Sequence, residues 1–353
     1  MRTRLAGGLI PGQEVAHESR GEIVALLERR LGVVDRQDAT ALPALHAADG
    51  TLDSVMGSPV CGRFARGHHR PLVVAGPSRR PGRYNNPVGG NIYFDLTRAF
   101  NRLEPTVALA SGQAVVHYRV AIMSKDGDWV IRENADACER VLDVLAQHGA
   151  AYRPGAPLDP RWLSGGWSSH FEFSDDRGRR IRCDFFSRPP RVAAAAIERL
   201  FTTSNGPFLV IDLESLIRMK HTLRAKDYAV IGALAAQLAP EREIRFTTDP
   251  ERVMHLAPVH GRGVDRPAVQ AAIAGDRDAV IIALAREQDA RQQRDRRRLD
   301  AYAAAAGPYL TAFAHLSPEH RRLPEGHRRA LALADRLLPP TVAHPEPADD
   351  DAE

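Results

Sequence analysis

Ser124-Lys125-Asp126-Gly127-Asp128-Trp129-Val130-Ile131 is the stretch on which the fold turns. Residues 128–131 read as a short strand, because Trp, Val and Ile suit a pleated, buried surface and the acid sits at the upstream end. On an extended backbone residues two apart share a face. Asp126 and Asp128 therefore stand together, with Lys125, Gly127 and Trp129 opposite. Two carboxylates held this close repel unless they share a cation, and Mg²⁺ prefers carboxylate oxygen together with phosphate oxygen. Alone, such a pair is a common feature of solvated loops; its meaning depends on what the chain brings beside it.

Downstream, residues 168–173 (SSHFEF) and 180–186 (RIRCDFF) alternate with period two, and Asp175-Asp176-Arg177-Gly178 between them supplies turn residues. The spacing predicts a hairpin. In its second strand Ile181, Cys183 and Phe185 form the apolar face, so Asp184 stands on the other with Arg180 and Arg182. Set beside the strand at 128–131, it makes a third carboxylate at one sheet edge. Three such acids can hold divalent ions that clamp the attacking and leaving oxygens of a phosphoryl displacement. The competing reading makes Asp184 a surface acid paired with Arg182.

Upstream, Pro105 to Ala110 reads as a buried strand that Ser111-Gly112 breaks, and Gln113 to Arg119 opens a helix. Gly112 lets backbone amides approach a phosphate, while the Ser111 hydroxyl and the helix start add donors. The glycines are too few for a dinucleotide fingerprint or a P-loop. Only three of the 48 basic residues are lysine. Lys125 lies in the first stretch; Lys220 and Lys226 lie in 218–227 (RMKHTLRAKD). Lys220 reads equally as a basic group serving the site or as a side chain snorkelling from a packed helix. Asp227 favours the start of its helix and pairs with Arg224.

Taken in order, these motifs resemble the nucleotidyltransferase superfamily, with its polymerase-beta-like fold, and within it the group of small bacterial proteins that includes the AbiEii-type toxins. The likeness runs over about residues 95–245. It is carried by Leu109-Ala110-Ser111-Gly112-Gln113-Ala114, then Ser124-Lys125-Asp126-Gly127-Asp128, then Asp184, then Lys220 and Arg224-Ala225-Lys226-Asp227. Ser111 stands where the family has its first glycine, Gly127 separates the acids where the family has an apolar residue, and Ile122 replaces an arginine. The resemblance implies an α+β fold, a mixed β-sheet flanked by helices with a helical C-terminal region.

It also implies transfer of a nucleoside monophosphate, from a nucleoside triphosphate such as ATP, to an acceptor hydroxyl, with release of pyrophosphate. Asp126, Asp128 and Asp184 would be the catalytic residues and would ligate Mg²⁺ or Mn²⁺. Ser111, Gly112, Ser124, Lys220 and Lys226 would seat the nucleotide. The acceptor would be a small molecule, a protein or an RNA end, and an antitoxin-like partner protein belongs to the same picture. The other reading is a catalytically silent relative that binds a nucleotide or a partner protein. Arg286, Arg291, Arg294, Arg296, Arg297 and Arg298 would offer a surface to an RNA backbone, although as a charged stretch they read first as a solvated helix face.

Composition adds bounds. A chain of 353 residues with formal charge +4 has too mild a basic excess to indicate nucleic-acid binding by itself. Three scattered cysteines suggest no disulfide framework, and no zinc motif is present. The longest apolar runs fall far short of the roughly 18 residues of a membrane span, and the N-terminus does not read as a signal peptide, so a cytoplasmic protein is expected. Four regions follow: an irregular N-terminal extension over 1–92, with one helix over 22–31; a nucleotidyltransferase core over 93–207; a helical region over 208–338; and a disordered Pro-rich, acidic tail over 339–353. Cys61, His68 and His69 lack the further ligand pair that a metal site needs.

Overall fold

The computed structural model describes residues 90–203 and 206–343, the side chains of Ala225 and Lys226 excepted. The helix expected over 22–31 and the group of Cys61, His68 and His69 lie outside the described residues.

Five strands form one mixed sheet: β1 (Val107–Ala110), β2 (Gly127–Ile131), β3 (Ala151–Tyr152), β4 (Ser169–Ser174) and β5 (Arg180–Phe186), in spatial order β1-β2-β5-β4-β3. Only β2 and β5 run parallel, with Asp128 opposite Asp184 and Trp129 opposite Phe185. The expected hairpin is β4–β5, closed by the turn at Asp175–Gly178, where Gly178 takes a φ of +70°. That conformation costs glycine little and other residues more.

Alternation along the strands sends side chains to two cores. Leu109, Trp129, Ile131, Phe171 and Phe185 bury against α1 (Ile92–Phe100) and α3 (Ala135–Gln147) through Leu96, Phe100, Val141 and Leu145. Ala108, Ala110, Val130 and Phe186 bury on the other face against α2 (Ser111–His117), α6 (Leu213–Lys220) and α7 (Ala225–Ala235). Between these lie α4 (Pro160–Leu163) and α5 (Ala194–Thr202). Asn91 caps α1 by accepting from the Tyr93 amide at 3.0 Å.

The C-terminal part is helical, as expected: α8 (Pro240–Phe246), α9 (Pro250–His260), α10 (Pro267–Ile273), α11 (Arg277–Ala314) and α12 (Glu325–Leu337). Tyr309, Phe313, Ala330 and Ala334 return from α11 and α12 to the first core. Where the last helix ends, Trp162 Nε1 donates to the Leu338 carbonyl at 3.1 Å and Trp167 Nε1 to that of Pro339 at 2.9 Å. Residues 344–353 lie outside the described residues. Among the described residues no helix is long and apolar enough to cross a membrane.

Candidate active site

The second face of the sheet turns polar where β2 begins. Asp128 and Asp184 are register partners on adjacent parallel strands, so both carboxylates leave the sheet on the same side. Asp126, two residues before Asp128, joins them at the rim. Asp128 and Asp184 are buried, whereas Asp126 is half-buried. The surface-acid reading of Asp184 therefore fails, although Arg182 is close by and takes Asp126, with Nη1 at 3.4 Å from Oδ1.

Glycine at 127 has a packing cause. A Cβ there would come within 2.4 Å of both the Trp129 and the Tyr93 rings on the opposite face. Any side chain between the two acids would have to displace one of these rings. The Tyr93 hydroxyl reaches past it to donate to the Lys125 carbonyl at 2.5 Å.

The turn after β1 lies against the loop that carries the acids. A Cβ on Gly112 would meet the Ser124 Oγ at 2.2 Å. Gln113 Nε2 donates to the Ser124 carbonyl at 3.0 Å. Ser111, where the family has glycine, adopts a φ of +46°, a left-handed conformation that disfavours a residue with a Cβ. Ser111, Gly112 and Ser124 are thus brought together beside the acids. Ile122, in place of the family's arginine, is largely exposed and contributes no charge.

Lys220 ends α6 and is buried, its Nζ 3.7 Å from Asp227 Oδ1. Asp227 also takes Arg224 Nε at 3.3 Å and accepts from Thr222 Oγ1 at 2.6 Å. Pairing with Arg224 was expected of Asp227; gathering Lys220 as well was not. The backbone of Lys226 lies in the first turn of α7, and its side chain is outside the described set. Lys125 is exposed at the rim.

Electrostatics identify Asp128 as the unusual group. Burial, then the charges of Asp184 and Asp126, push its carboxyl up to about 7, while Lys220 and Arg224 pull the other way. A cation would relieve that crowding, and hard carboxylate oxygens are the donors that Mg²⁺ or Mn²⁺ takes. By donor type the trio fits a divalent ion. By present side-chain placement it does not close on one: among the described residues no group of three or more His, Cys, Asp and Glu is positioned to hold a metal. Two of the acids meet arginines instead: Arg153 Nη1 lies 3.1 Å from Asp184 Oδ1 and Arg182 holds Asp126.

His170 and Arg153 are the neighbours that sequence reasoning passed over. His170 is the register partner of Asp184 on β4, and its Nδ1 lies 2.9 Å from Asp184 Oδ1. The approach is close but poorly directed, for Nδ1 makes no aligned hydrogen bond. The other ring nitrogen, Nε2, lies 3.1 Å from the Ser168 Oγ. The alternation of 168–173 already set His170 on the face opposite Phe171; what it lacked was the register. His117 lies elsewhere, among Phe94, Tyr118 and Phe208.

No family model matches the chain, and no curated protein matches it. Two solved structures from Helicobacter pylori are similar at 12% identity. One is a protein provisionally described as a nucleotidyltransferase, with 59% of this chain and 95% of that one covered at a TM-score of 0.32. The other is JHP933, with 60% and 96% covered at a TM-score of 0.31. At these scores neither likeness bears on activity.

Proposed function

We propose that this chain is a metal-dependent nucleotidyltransferase that moves a nucleoside monophosphate from a nucleoside triphosphate to an acceptor hydroxyl and releases pyrophosphate. The observation that carries the reading is the pairing of Asp128 with Asp184 across parallel strands, with Asp126 on the same face. The order of the motifs along the chain supports it.

Asp126, Asp128 and Asp184 would hold Mg²⁺ or Mn²⁺; bound there, such an ion neutralises triphosphate charge and activates a hydroxyl. The chain's own groups do the rest. The turn at Ser111-Gly112, close against Ser124, offers backbone amides to the outer phosphates. Lys220 and Arg224, gathered by Asp227, supply positive charge where the leaving group becomes more negative. Lys226 adds to it from the first turn of α7. Asp184 takes the acceptor's proton. The acceptor is a small molecule, a protein hydroxyl or an RNA end, and an antitoxin-like protein is the partner that the family resemblance suggests.

A second reading rests on Arg153 and Arg182, each already on one of the three acids: a silent relative that binds a nucleotide without turnover. Pyrophosphate release separates the two. The active reading requires Mg²⁺-dependent release that disappears in Asp126→Ala and Asp184→Ala, both still folded by circular dichroism. Triphosphate binding with no release by the wild type would establish the silent one.

A further inference from the structure

His170 carries both ring nitrogens into the interior, and each meets a polar group. Nε2 lies 3.1 Å from the Ser168 Oγ, and Nδ1 lies 2.9 Å from Asp184 Oδ1. Register accounts for the second contact. His170 and Asp184 stand opposite each other on β4 and β5, so their side chains leave the sheet on one face. Ser168, His170 and Asp184 are all buried.

The segment after β3 holds the ring from behind. The Arg153 amide donates to the His170 carbonyl at 2.8 Å, and the Ala156 amide to that of Ser168 at 3.0 Å. Between them Gly155 lies against the imidazole: a Cβ there would come within 2.3 Å of His170 Cδ2. Gly155 is fixed in turn from α11, where the buried Tyr309 hydroxyl donates to its carbonyl at 3.0 Å. Contacts therefore run from the helical region to the acids through Tyr309, Gly155 and His170.

In a neutral imidazole one nitrogen donates and the other accepts. A lone pair on Nδ1 would be repelled by a carboxylate oxygen at 2.9 Å. The proton therefore belongs on Nδ1, and Nε2 accepts from the Ser168 hydroxyl. The Nδ1 bond is short of alignment. A buried donor in that state costs about 1–3 kcal/mol, and a turn of the Asp184 carboxyl about χ2, a broad torsion, restores it. Arg153 Nη1 approaches the same oxygen, Oδ1, at 3.1 Å. With two donors on Oδ1, the oxygen left to offer a ligand is Oδ2.

We propose that His170 is the positioning residue of the candidate active site: its Nδ1–H, directed by Ser168, holds Asp184 by Oδ1 and turns Oδ2 toward the space shared with Asp126 and Asp128. This role presupposes that the three acids hold a divalent ion, as proposed above. A neutral ring can hold the carboxylate without opposing that ion, whereas a guanidinium on the same oxygen repels it. Partners of this kind, one bond behind a ligand, orient the ligand and tune its affinity.

The test separates the two ring nitrogens. The amide nitrogen of Asn falls near the place of Nδ1, and that of Gln near the place of Nε2. His170→Asn therefore keeps a donor toward Asp184, and His170→Gln keeps only the one toward Ser168. Mn²⁺ is titrated into the full chain and followed by electron paramagnetic resonance, and urea midpoints are measured on the same proteins. The wild type should bind Mn²⁺, and Asp126→Ala should weaken that binding. His170→Gln should bind about 10–100-fold more weakly than the wild type, while His170→Asn stays close to it. A residue that only packs would not make affinity follow the donor. His170→Leu, which has the shape of Asn without its donor, replaces His170→Gln should that protein fail to fold. Wild-type affinity in the donor-less variant, or equal losses in it and in His170→Asn, would overturn the proposal and leave the metal reading standing. A wild type that binds no Mn²⁺, or binds it as tightly after Asp126→Ala, would overturn the metal reading and this role with it.

Discussion

Arg153 Nη1 lies 3.1 Å from Asp184 Oδ1, which puts a fixed cation on the carboxylate that a mobile cation would need. The two compete. Arg153→Gln removes the charge and leaves Asp184 in place, so we expect the affinity for Mn²⁺, read by electron paramagnetic resonance or calorimetry, to rise roughly tenfold. An unchanged or weaker affinity would show that Arg153 positions Asp184 and does not obstruct it.

Asp128 gives the site a pH signature. Its carboxyl is raised from an ordinary 3.8 to about 7, first by burial and then by Asp184 and Asp126. The folded chain therefore holds this proton more tightly than the unfolded chain. The resulting stability is complete below about pH 4, is lost as pH rises from 4 through 7, and changes no further above that. A shift of about three units corresponds to at most roughly 4 kcal/mol. Asp128→Asn cannot ionise, so in EDTA its advantage over the wild type should grow between pH 5 and pH 8 in urea unfolding. Added Mg²⁺ should narrow that gap at pH 8 and barely alter it at pH 5. Parallel pH profiles for the two proteins would remove Asp128 from the account.

The two glycines of the site fail differently when filled. At Gly127 the new methyl meets the Trp129 and Tyr93 rings at 2.4 Å, both within the core. Both rings are packed in the core, so Gly127→Ala should cost about 1–3 kcal/mol, the range for overpacking. At Gly112 the obstacle is one hydroxyl, Ser124 Oγ at 2.2 Å. Gly112→Ala should destabilise less, and Ser124→Gly in the same chain should restore most of the loss. A double-mutant cycle on Tm checks this; additive effects would mean that the two residues do not touch in solution.

Local patterns made much of this legible. Alternation in 180–186 separated Asp184 from Ile181, Cys183 and Phe185, and the spacing of Asp126 and Asp128 set both on one face. The hairpin followed from its turn residues. Long-range register did not follow: nothing local says that His170 sits opposite Asp184, or that Arg153 reaches it from beyond β3. The stretch from Arg286 to Arg298 on α11 is solvated only in part, for Asp295 is buried and takes Arg191 Nη1 at 2.7 Å from the loop after β5. In a chain so rich in charge, nothing local distinguishes such a residue from one more solvated group. In the sequence Gly127 is only a departure from the apolar residue of the resembled family; the Trp129 and Tyr93 rings behind it are its cause.

Asp227 gathers the positive charge that faces the acids. It takes Lys220 Nζ at 3.7 Å, Arg224 Nε at 3.3 Å and the Thr222 hydroxyl at 2.6 Å, and both it and Lys220 are buried. Asp227→Asn keeps the shape and removes the charge, leaving Lys220 buried beside a neutral amide. Breaking a buried pair from one side costs about 3–5 kcal/mol, and we expect the low end, because Lys220 also lies in the field of Asp128. Lys220→Met in the Asp227→Asn background should recover much of the stability, since the buried ammonium is gone and Arg224, the other cation on Asp227, is only half-buried. It should not recover triphosphate affinity if Lys220 serves the phosphates. Comparing urea midpoints with nucleotide affinity across the four proteins separates these roles. Stability and affinity returning together in the double variant would mean that the lysine only balances Asp227.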